Sequence, residues 1–416
     1  MRLTVIIFFF TICLSSCSAK DASDDINLDS KESESQQAVR SPQTQATYTN
    51  EDAAVQFSFK QDRTYGSTDD ILLGVFNAIE VDSLNRVFIA DRDQTKIHVF
   101  HSDGTFITSL GREGRGPGEF FEIRTDTFIR IISGKLYVTD GDTRFPHRVH
   151  VFSLNDLTFS RTLVIVADNK EEYAKDLVGY NATRVYPLKS GNFLIPYRRP
   201  EYAYRDQISY IRYMIQNSDR TILGGPVLEQ QDRINLIYLV ENTARPYNAI
   251  RTFPFFGKSL FAISDNEEIY TARSEEFKIN VQDTKGTILR TISHPYTNLP
   301  VTRGELIDLY EEKKTSPMGD GVEEAMISEA DSLPDTWPAL NDLIVDDENR
   351  LWVSTIVEDF DVYEWWVLEE SGELITRFEW PRDEPIEVVK NGKMYTRQTD
   401  EETGLQQVVR YRIEIE

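Results

Sequence analysis

Two arginine-rich segments carry the residue types best suited to holding an anion. GREGRGPGEF (residues 111–120) sets arginines among glycines, and YRRPEYAYRD (residues 197–206) alternates arginines with tyrosines. Arginine offers planar pairs of donors to carboxylate, sulfate or phosphate, and aromatic rings stack on sugars or peptides. The segments therefore predict a site for an anionic ligand, and pairing with the chain's own carboxylates is the alternative. The candidate arginines are Arg112, Arg115, Arg124, Arg198, Arg199 and Arg205.

Signatures of nucleophilic or metal catalysis are weak. Neither G-x-S-x-G nor H-E-x-x-H occurs in the sequence. His98 and His150 occupy matching positions in two similar strands, whereas zinc needs three or four converging ligands. We interpret both histidines as polar residues between packed sheets and expect no metal ligands in the protein.

Acidic turns offer a second possible cation site. DRD (residues 91–93) and DGD (residues 140–142) contain the oxygen groups that calcium favours. Aspartate at a turn, however, commonly bonds its own backbone. We predict structural turns and no cofactor, with calcium as the alternative.

The elements that must position these residues follow a repeat. A polar turn followed by an apolar strand recurs six times after residue 52. Four-stranded units of roughly 40–50 residues, repeated in this way, are typical of β-propeller blades. The copies are NRVFIAD at Asn85, GKLYVTD at Gly134, GNFLIPY at Gly191, NEEIYTA at Asn266, NRLWVST at Asn349 and GKMYTRQ at Gly392.

The two ends of the repeat region complement each other. The last unit stops one strand short, and the strand AAVQFSF (residues 53–59) has no unit of its own. If that strand completes the last blade, two exposed sheet edges disappear. We therefore predict that the N-terminal strand closes the ring.

Residues 53–416 resemble the six-bladed β-propeller lipoproteins of Bacteroidetes-like bacteria, whose blades are similar to NHL repeats. The motifs that carry the resemblance are LSSC (residues 14–17), NRVFIADRDQTKIHVFHSDGTFITSLG (residues 85–111) and GREGRGPGEF. The resemblance implies a fold and an envelope location, and no particular reaction. We predict an all-β, six-bladed β-propeller of four-stranded blades with a small helical insertion at about residues 295–336.

In such a fold GREGRGPGEF joins one blade to the next. No helix start follows it and G-K-[ST] is missing, so the amide cradle for phosphate lacks its context. The chain must cross here from the outer rim to the channel, and glycine permits the turns with positive φ that this needs. We interpret the glycines as architecture and keep Arg112 and Arg115 as candidate ligand contacts.

The long connections are predicted to lie on one face. They fall between second and third strands and between successive blades, and the up-and-down topology places both classes at the same end. Loops gathered on a rigid scaffold commonly carry recognition. Asn77 and Asn341 begin innermost strands and are candidates to line the mouth of the channel. TRGE (residues 302–305) fits a helix-capping box, and the helical insertion could form a lid or pack on the rim.

The N-terminus predicts export and lipidation. A basic start and a short apolar run are typical of a signal peptide. LSSC resembles a lipobox, which would make Cys17 the lipidated residue, and an ordinary signal with an incidental cysteine is the alternative. Residues 1–16 are predicted to be the signal and residues 17–52 a polar, disordered tether. Its acidic start resembles motifs that route lipoproteins to the cell surface, although a plain linker looks similar.

These observations favour a binding protein over an enzyme. The formal net charge of −24 argues against nucleic acid as a partner. We predict a monomeric, lipid-anchored outer-membrane protein, periplasmic or on the cell surface, that binds an envelope protein, glycan or peptide through its insertion-rich face. The alternative is a propeller lyase or lactonase-like hydrolase that uses a divalent cation in the central channel.

Overall fold

The blades are built from the repeated strands predicted above. The computed structural model describes residues 45–47, 55–68, 70–124, 127–140, 147–165, 177–199, 209–233, 236–240, 247–302 and 333–415. Gln43–Glu416 form one unit. No helix in the described segments is long and apolar enough to cross a membrane.

Six sheets of antiparallel strands surround a central channel, and the six-bladed all-β fold is confirmed. Two strands precede the first blade: β1 (Gln45–Thr47) and β2 (Phe57–Tyr65). Blade 1 comprises β3 (Phe76–Val81), β4 (Val87–Asp91), β5 (Lys96–Phe100) and β6 (Phe106–Leu110). Blade 2 comprises β7 (Ile129–Ile132), β8 (Lys135–Asp140), β9 (His147–Ser153) and β10 (Phe159–Ile165).

Blade 3 has an innermost strand in two pieces. It comprises β11 (Asn181–Ala182), β12 (Tyr186–Pro187), β13 (Phe193–Arg198), β14 (Tyr210–Gln216) and β15 (Leu228–Gln231). A separate hairpin follows: β16 (Leu236–Val240) and β17 (Tyr247–Arg251). Both β11 and β12 pair with β13.

The remaining blades are regular. Blade 4 comprises β18 (Ser259–Ile263), β19 (Ile269–Arg273), β20 (Lys278–Gln282) and β21 (Ile288–Ser293). Blade 5 comprises β22 (Leu340–Val345), β23 (Leu351–Ile356), β24 (Val362–Leu368) and β25 (Leu374–Pro381). Blade 6 comprises β26 (Ile386–Lys390), β27 (Lys393–Thr399), β28 (Gln406–Ile415) and the N-terminal β2.

Closure of the ring by the N-terminal strand is confirmed. β2 pairs antiparallel with β28 from Phe57 opposite Ile415 to Tyr65 opposite Val408. The predicted bounds were wrong, because the strand runs Phe57–Tyr65 and not 53–59. Buried residues stand at both ends of this strand. The residues between them are partly or fully exposed, because the strand lies on the outer edge of the blade.

Hydrophobic packing between neighbouring blades forms the core. One buried cluster lies at each of the six blade interfaces, and the cluster between blades 1 and 2 includes Phe88, Phe120 and Leu136. A seventh cluster, built around Phe255 and Trp337, lies at one end of the channel. Each blade is therefore stabilised mainly by its two neighbours.

Three residues of the predicted tether form a short strand. Gln45–Thr47, inside the predicted tether, pair in parallel with β21 at the outer edge of blade 4, so the tether interpretation does not hold for these three residues. Most of the predicted helical insertion, like the signal segment and Cys17, lies outside the described residues.

The third and fourth strands of blade 3 are joined by a tight turn, but the regular part of the fourth strand begins late. There β14 and β15 are separated by residues 217–227. The chain first makes a turn in which the Asn217 side chain accepts from the Thr221 amide, and a single bridge joins Gln216 to Ile222. The strand β15 begins only after this segment.

Candidate ligand-binding site

Two cavities lie on the axis of the propeller. The first, which we call the channel cavity, has a volume of about 360 Å³. All six innermost strands contribute to its wall, including Asn77 of blade 1, Tyr186 of blade 3 and Asp342 of blade 5. The second, which we call the face cavity, has a volume of about 690 Å³ and opens on the insertion-rich face between blades 3, 4 and 5.

The lining of the channel cavity is mainly acidic, with six carboxylates and three cations, and several of the carboxylates form ion pairs. Lys390 of blade 6 donates to Glu80 of blade 1 over 3.2 Å, and Arg397 lies 2.8 Å from Glu387. Burial by itself would lower the pKa of Lys390, but Glu80 and Asp265 reverse this and raise it. At the end of the channel opposite the face cavity, Lys390 thus links the last blade to the first, and it also reaches across the channel to Asp265 of blade 4, 4.0 Å away.

Blade 2 adds a second cross-channel contact. The buried Arg130 donates from Nη2 to the carbonyl oxygen of Ser264 in blade 4 over 2.8 Å. Its burial lowers the pKa of the guanidinium, although Asp265, 4.0 Å away, opposes the shift. Within the described residues, no group of three or more His, Cys, Asp or Glu is arranged to hold a metal ion.

The face cavity has a different character. Its charged lining consists of five cations and one carboxylate, and its remaining lining combines aromatic rings, neutral polar groups and a few aliphatic side chains. The cations are Arg184, Arg198, Arg233, Lys258 and Arg382, and the carboxylate is Asp232. A cationic cavity stands out in a chain of net charge −24.

The connections between blades position these cations. Arg233 and Lys258 flank the long connection from β15 to β18, and Arg382 directly follows β25. Lys258 donates from Nζ to Oδ1 of Asn341 over 3.3 Å. Arg382 donates from Nε to the Val362 carbonyl over 2.8 Å, and its guanidinium lies 4.3 Å from the centre of the Tyr363 ring.

Lys258 and Asp342 are coupled across the boundary between the two cavities. Partial enclosure lowers the pKa of Lys258, with the neighbouring Arg233 acting in the same direction and Asp342 opposing it. The Asp342 side chain is reached from the channel but has protein atoms around it. This enclosure raises the pKa of Asp342, although the positive charge of Lys258 acts in the opposite direction. Both groups are therefore shifted towards their neutral forms.

Three predicted arginines lie in the connection from blade 1 to blade 2 and line neither cavity. Arg112 donates to Glu119 over 2.7 Å while its side chain stays 74% exposed. The guanidinium of Arg115 lies 5.2 Å from the Phe121 ring centre, and Arg124 lies 3.4 Å from Glu122.

The other predicted site residues divide between the cavities. Arg198 and Asn341 line the face cavity, where Arg198 forms an ion pair with Asp232. Asn77 lines the channel cavity, and its Nδ2 is buried without a partner. Arg199 lies 5.1 Å over the Tyr180 ring, and Arg205 lies outside the described residues.

A family comparison agrees with this architecture. A family model described as a 6-bladed beta-propeller, DUF5128, matches residues 64–282, which is more than half of the chain. The chain belongs to this family. A search of curated proteins found no significant match.

Solved structures with similar folds come from several bacteria. One of them is a protein from Bacteroides fragilis NCTC 9343 whose name describes it as exported. It is 11% identical, with 88% of this chain and 98% of that chain covered and a TM-score of 0.47. A DUF4221 family member from Bacteroides vulgatus ATCC 8482 is 10% identical, with 86% and 98% covered and a TM-score of 0.47. A virginiamycin B lyase from Staphylococcus aureus is 9% identical, with 86% and 99% covered and a TM-score of 0.39.

Within this propeller family fold, the acidic turns anchor the connections between blades. Asp91 accepts hydrogen bonds from the amides of Gly74 and Gln94 and lies 3.3 Å from Nε2 of His98. Burial by itself would raise the pKa of Asp91, but the hydrogen bonds from His98 and the two amides lower it overall. Because its hydrogen-bonding capacity is used by these groups, the Asp91 carboxylate has a structural role in holding the backbone.

Blade 2 repeats the arrangement. Asp140 accepts from the amides of Phe121 and Glu122, and His150 lies 3.2 Å away. Nδ1 of His150 is 3.0 Å from Thr162 in the fourth strand. The predicted matching position of His98 and His150 is confirmed by the strand register, and the pair lies between packed sheets as predicted.

No pattern in the sequence indicated Arg184, Arg233, Lys258 or Arg382 as site residues. They are single cations spread over about 200 residues, so no local cluster marks them. Their location in the chain could have indicated three of them. Arg233, Lys258 and Arg382 lie in connections between successive blades, and such connections are predicted to lie on the recognition face.

Proposed function

We propose that the chain is a lipid-anchored cell-envelope β-propeller that binds a ligand through its insertion-rich face. The observation that carries the proposal is the face cavity, which opens on that face and has a charged lining of five cations and one carboxylate. Its volume lies within the range of about 300–1,000 Å³ that is usual for small-molecule sites.

The pairing of Glu80 and Glu387, two of the six carboxylates that line the channel cavity, favours binding over channel catalysis by a cation. Glu80 and Glu387 each face a cation within 3.2 Å, so neither offers an uncommitted ligand to a divalent ion. A propeller enzyme that uses a channel cation would instead need several oxygen ligands to converge there.

The anchor is supported by the N-terminal sequence. The short apolar run and LSSC make Cys17 the residue that would carry lipid, and no second long apolar segment occurs in the chain. Anchoring through one lipidated cysteine would leave the propeller free to sample ligands in the envelope.

Two measurements test the proposal. Cys17→Ala should move the protein from the membrane fraction to the soluble fraction after cell lysis, whereas Cys13→Ala should not. Continued membrane association of Cys17→Ala would overturn the anchor.

The binding face is tested with bulky substitutions at two threonines that are both exposed. Thr252→Trp places an indole in the face cavity, and Thr105→Trp places one on the opposite face. A thermal-shift screen of saccharides, peptides and organic acids should find a class that raises the Tm of the wild type and of Thr105→Trp but not of Thr252→Trp. An equal effect of both substitutions, or no stabilising class, would overturn the binding face.

A further inference from the structure

Three cations in the face cavity have no ion-pair partner among the described residues. Arg233, Lys258 and Arg382 all line the cavity, and none of them forms a described ion pair with a carboxylate. Elsewhere, arginines are commonly paired even on strand edges, as Arg86 is with Asp82 at 2.7 Å. Asp342 acts on Lys258, and Asp359 and Asp361 act on Arg382, only from beyond ion-pair distance. The cavity lining, with five cations and one carboxylate, therefore keeps a positive charge that an anionic ligand can neutralise.

The Arg382 side chain is held ready for such a contact. Its guanidinium lies 4.3 Å from the Tyr363 ring centre and 5.0 Å from that of Phe360. The aromatic neighbours fix the plane of the guanidinium, and its Nη2 is buried without an acceptor. Unused donor capacity at a cavity wall favours a ligand with acceptor atoms.

Arg233 and Lys258 provide the second positively charged wall. Both side chains are exposed to the cavity, and Arg233 is close enough to lower the pKa of Lys258. Two like charges held together are destabilising unless an anion lies between or beside them. Asp342, on the channel side, compensates only in part.

The rest of the lining resembles neither a phosphate loop nor a purely apolar pocket. In the described part of the cavity, the donors are side chains on strands and connections, without the helix N-terminus that commonly holds phosphate. Besides the charged groups, the lining contains aromatic rings, a few aliphatic side chains and neutral groups that can bond hydroxyls. These neutral groups are Thr183, Thr252, Ser259 and Asn341.

We propose, building on the binding function above, that the face cavity recognises an acidic sugar. Arg233, Lys258 and Arg382 hold its carboxylate groups, the hydroxyl and amide side chains hold its hydroxyls, and Tyr363 contacts the sugar ring. The ligand class is a uronic acid or a short oligosaccharide that contains one. Neutral sugars lack the charge, and aromatic acids lack the hydroxyls that the lining accommodates.

The test uses isothermal titration with the full propeller and defined probes. Digalacturonate and glucuronate should bind, and glucose and benzoate should bind at least tenfold more weakly. Glucose 6-phosphate serves as the phosphate probe. Preferential binding of glucose, benzoate or glucose 6-phosphate would overturn the acidic-sugar assignment.

Variants separate the site from general charge effects. Arg233→Gln and Lys258→Met should each weaken digalacturonate binding at least tenfold, and Arg382→Gln should do the same. Arg92→Gln, at an exposed arginine in a turn of blade 1, should leave the affinity within twofold. Thermal melting of each variant checks that it is folded, and an unchanged affinity in the folded cavity variants would overturn the assignment.

The two proposals fail in different ways. If the thermal-shift screen finds a ligand that Thr252→Trp blocks but that ligand is neutral or phosphorylated, the binding face stands and the acidic-sugar assignment falls. If no ligand responds to Thr252→Trp, both fall.

Discussion

At the residue scale, the repeated motif is explained by backbone conformation. Its first residue occupies the left-handed region in five of the six copies, with φ values of 59° at Asn85, 63° at Asn349 and 71° at Gly134 among them. Asparagine and glycine tolerate this conformation better than other residues do. In the copy that begins at Asn266, the neighbouring Glu267 takes the positive φ instead.

The crossing segment GREGRGPGEF shows a stricter requirement at Gly111. Its φ is +69°, and a Cβ atom there would overlap the ring of Phe120, which is fully buried between blades 1 and 2. The loop is further closed by Glu119, which accepts from the Gly116 amide over 2.8 Å and also from Arg112. The glycines are architectural, as predicted, and Arg112 has a structural partner.

Gly111→Ala is predicted to destabilise the protein more than Gly134→Ala. Both positions have φ near +70°, but nothing lies within 4 Å of a Cβ at Gly134. Gly134→Ala should therefore lower the free energy of unfolding by about 1 kcal/mol, the cost of the backbone conformation alone. Gly111→Ala should add about 1–3 kcal/mol from overpacking. Urea unfolding measures both, and equal effects would contradict the packing argument.

At the element scale, the third strands of blades 1, 2 and 4 each place a polar side chain at the same position between packed sheets. His98 and His150 use theirs to reach an aspartate at the end of the second strand, and that aspartate holds the incoming connection. In blade 4 the matching residue is Asn280, which accepts from Thr291 over 2.9 Å. Buried polar groups at this position are therefore satisfied within their own blade and fix the connection that enters it.

A buried histidine also joins two blades. His294, just after β21, donates its Nε2–H to the carbonyl oxygen of Gly372 in blade 5 over 3.0 Å. Its ring packs against Phe277 and Trp366. Burial lowers the pKa of His294 below 6.5, although the hydrogen bond to Gly372 opposes the shift.

The stability of the protein should therefore fall as the pH drops below 6.5. The unfolded chain takes up a proton at His294 near pH 6.5, while the folded chain binds it only at lower pH, so this stability is fully present above 6.5. Urea unfolding at pH 7.5 and 5.5 should show a smaller loss for His294→Gln than for the wild type. His101→Gln, at an exposed histidine, should keep the wild-type slope, and a His294→Gln slope equal to the wild-type slope would contradict the prediction.

At the scale of the whole molecule, closure of the ring depends on contacts between the two ends of the chain. Arg410 in β28 donates to Asp62 over 2.7 Å, to the Tyr65 hydroxyl over 2.7 Å and to the Ser102 carbonyl over 2.8 Å. These contacts join blade 6 to blade 1 as well as to the N-terminal strand. Asp62 also lies 3.4 Å from Arg412, whose side chain is 52% exposed.

Arg410→Met should destabilise the ring strongly, and Arg412→Met should not. Removing one partner of a buried, hydrogen-bonded ion pair commonly costs about 3–5 kcal/mol, whereas an exposed pair contributes about 0–1 kcal/mol. The two substitutions lie two residues apart on one strand and share Asp62, so they form a matched pair. Urea unfolding should separate them by at least about 2 kcal/mol, and similar losses would show that closure does not depend on Arg410.

The sequence by itself determined the architecture, because each blade carries a recognisable motif within a short segment of the chain. Six copies of a turn and an apolar strand predict six second strands, and all six are present in β4, β8, β13, β19, β23 and β27. The missing last strand and the unassigned first one likewise predict closure, although the bounds of β2 shifted by several residues.

Only the tertiary structure decided which cations share a cavity. Local clusters made Arg112 and Arg115 the leading candidates, yet one pairs with Glu119 and the other stacks on Phe121. Arg233, Lys258 and Arg382 are far apart in sequence and meet because ring closure places the connections of different blades around one axis. Strand periodicity is a local property that the sequence displays directly, whereas convergence on an axis depends on how the blades close.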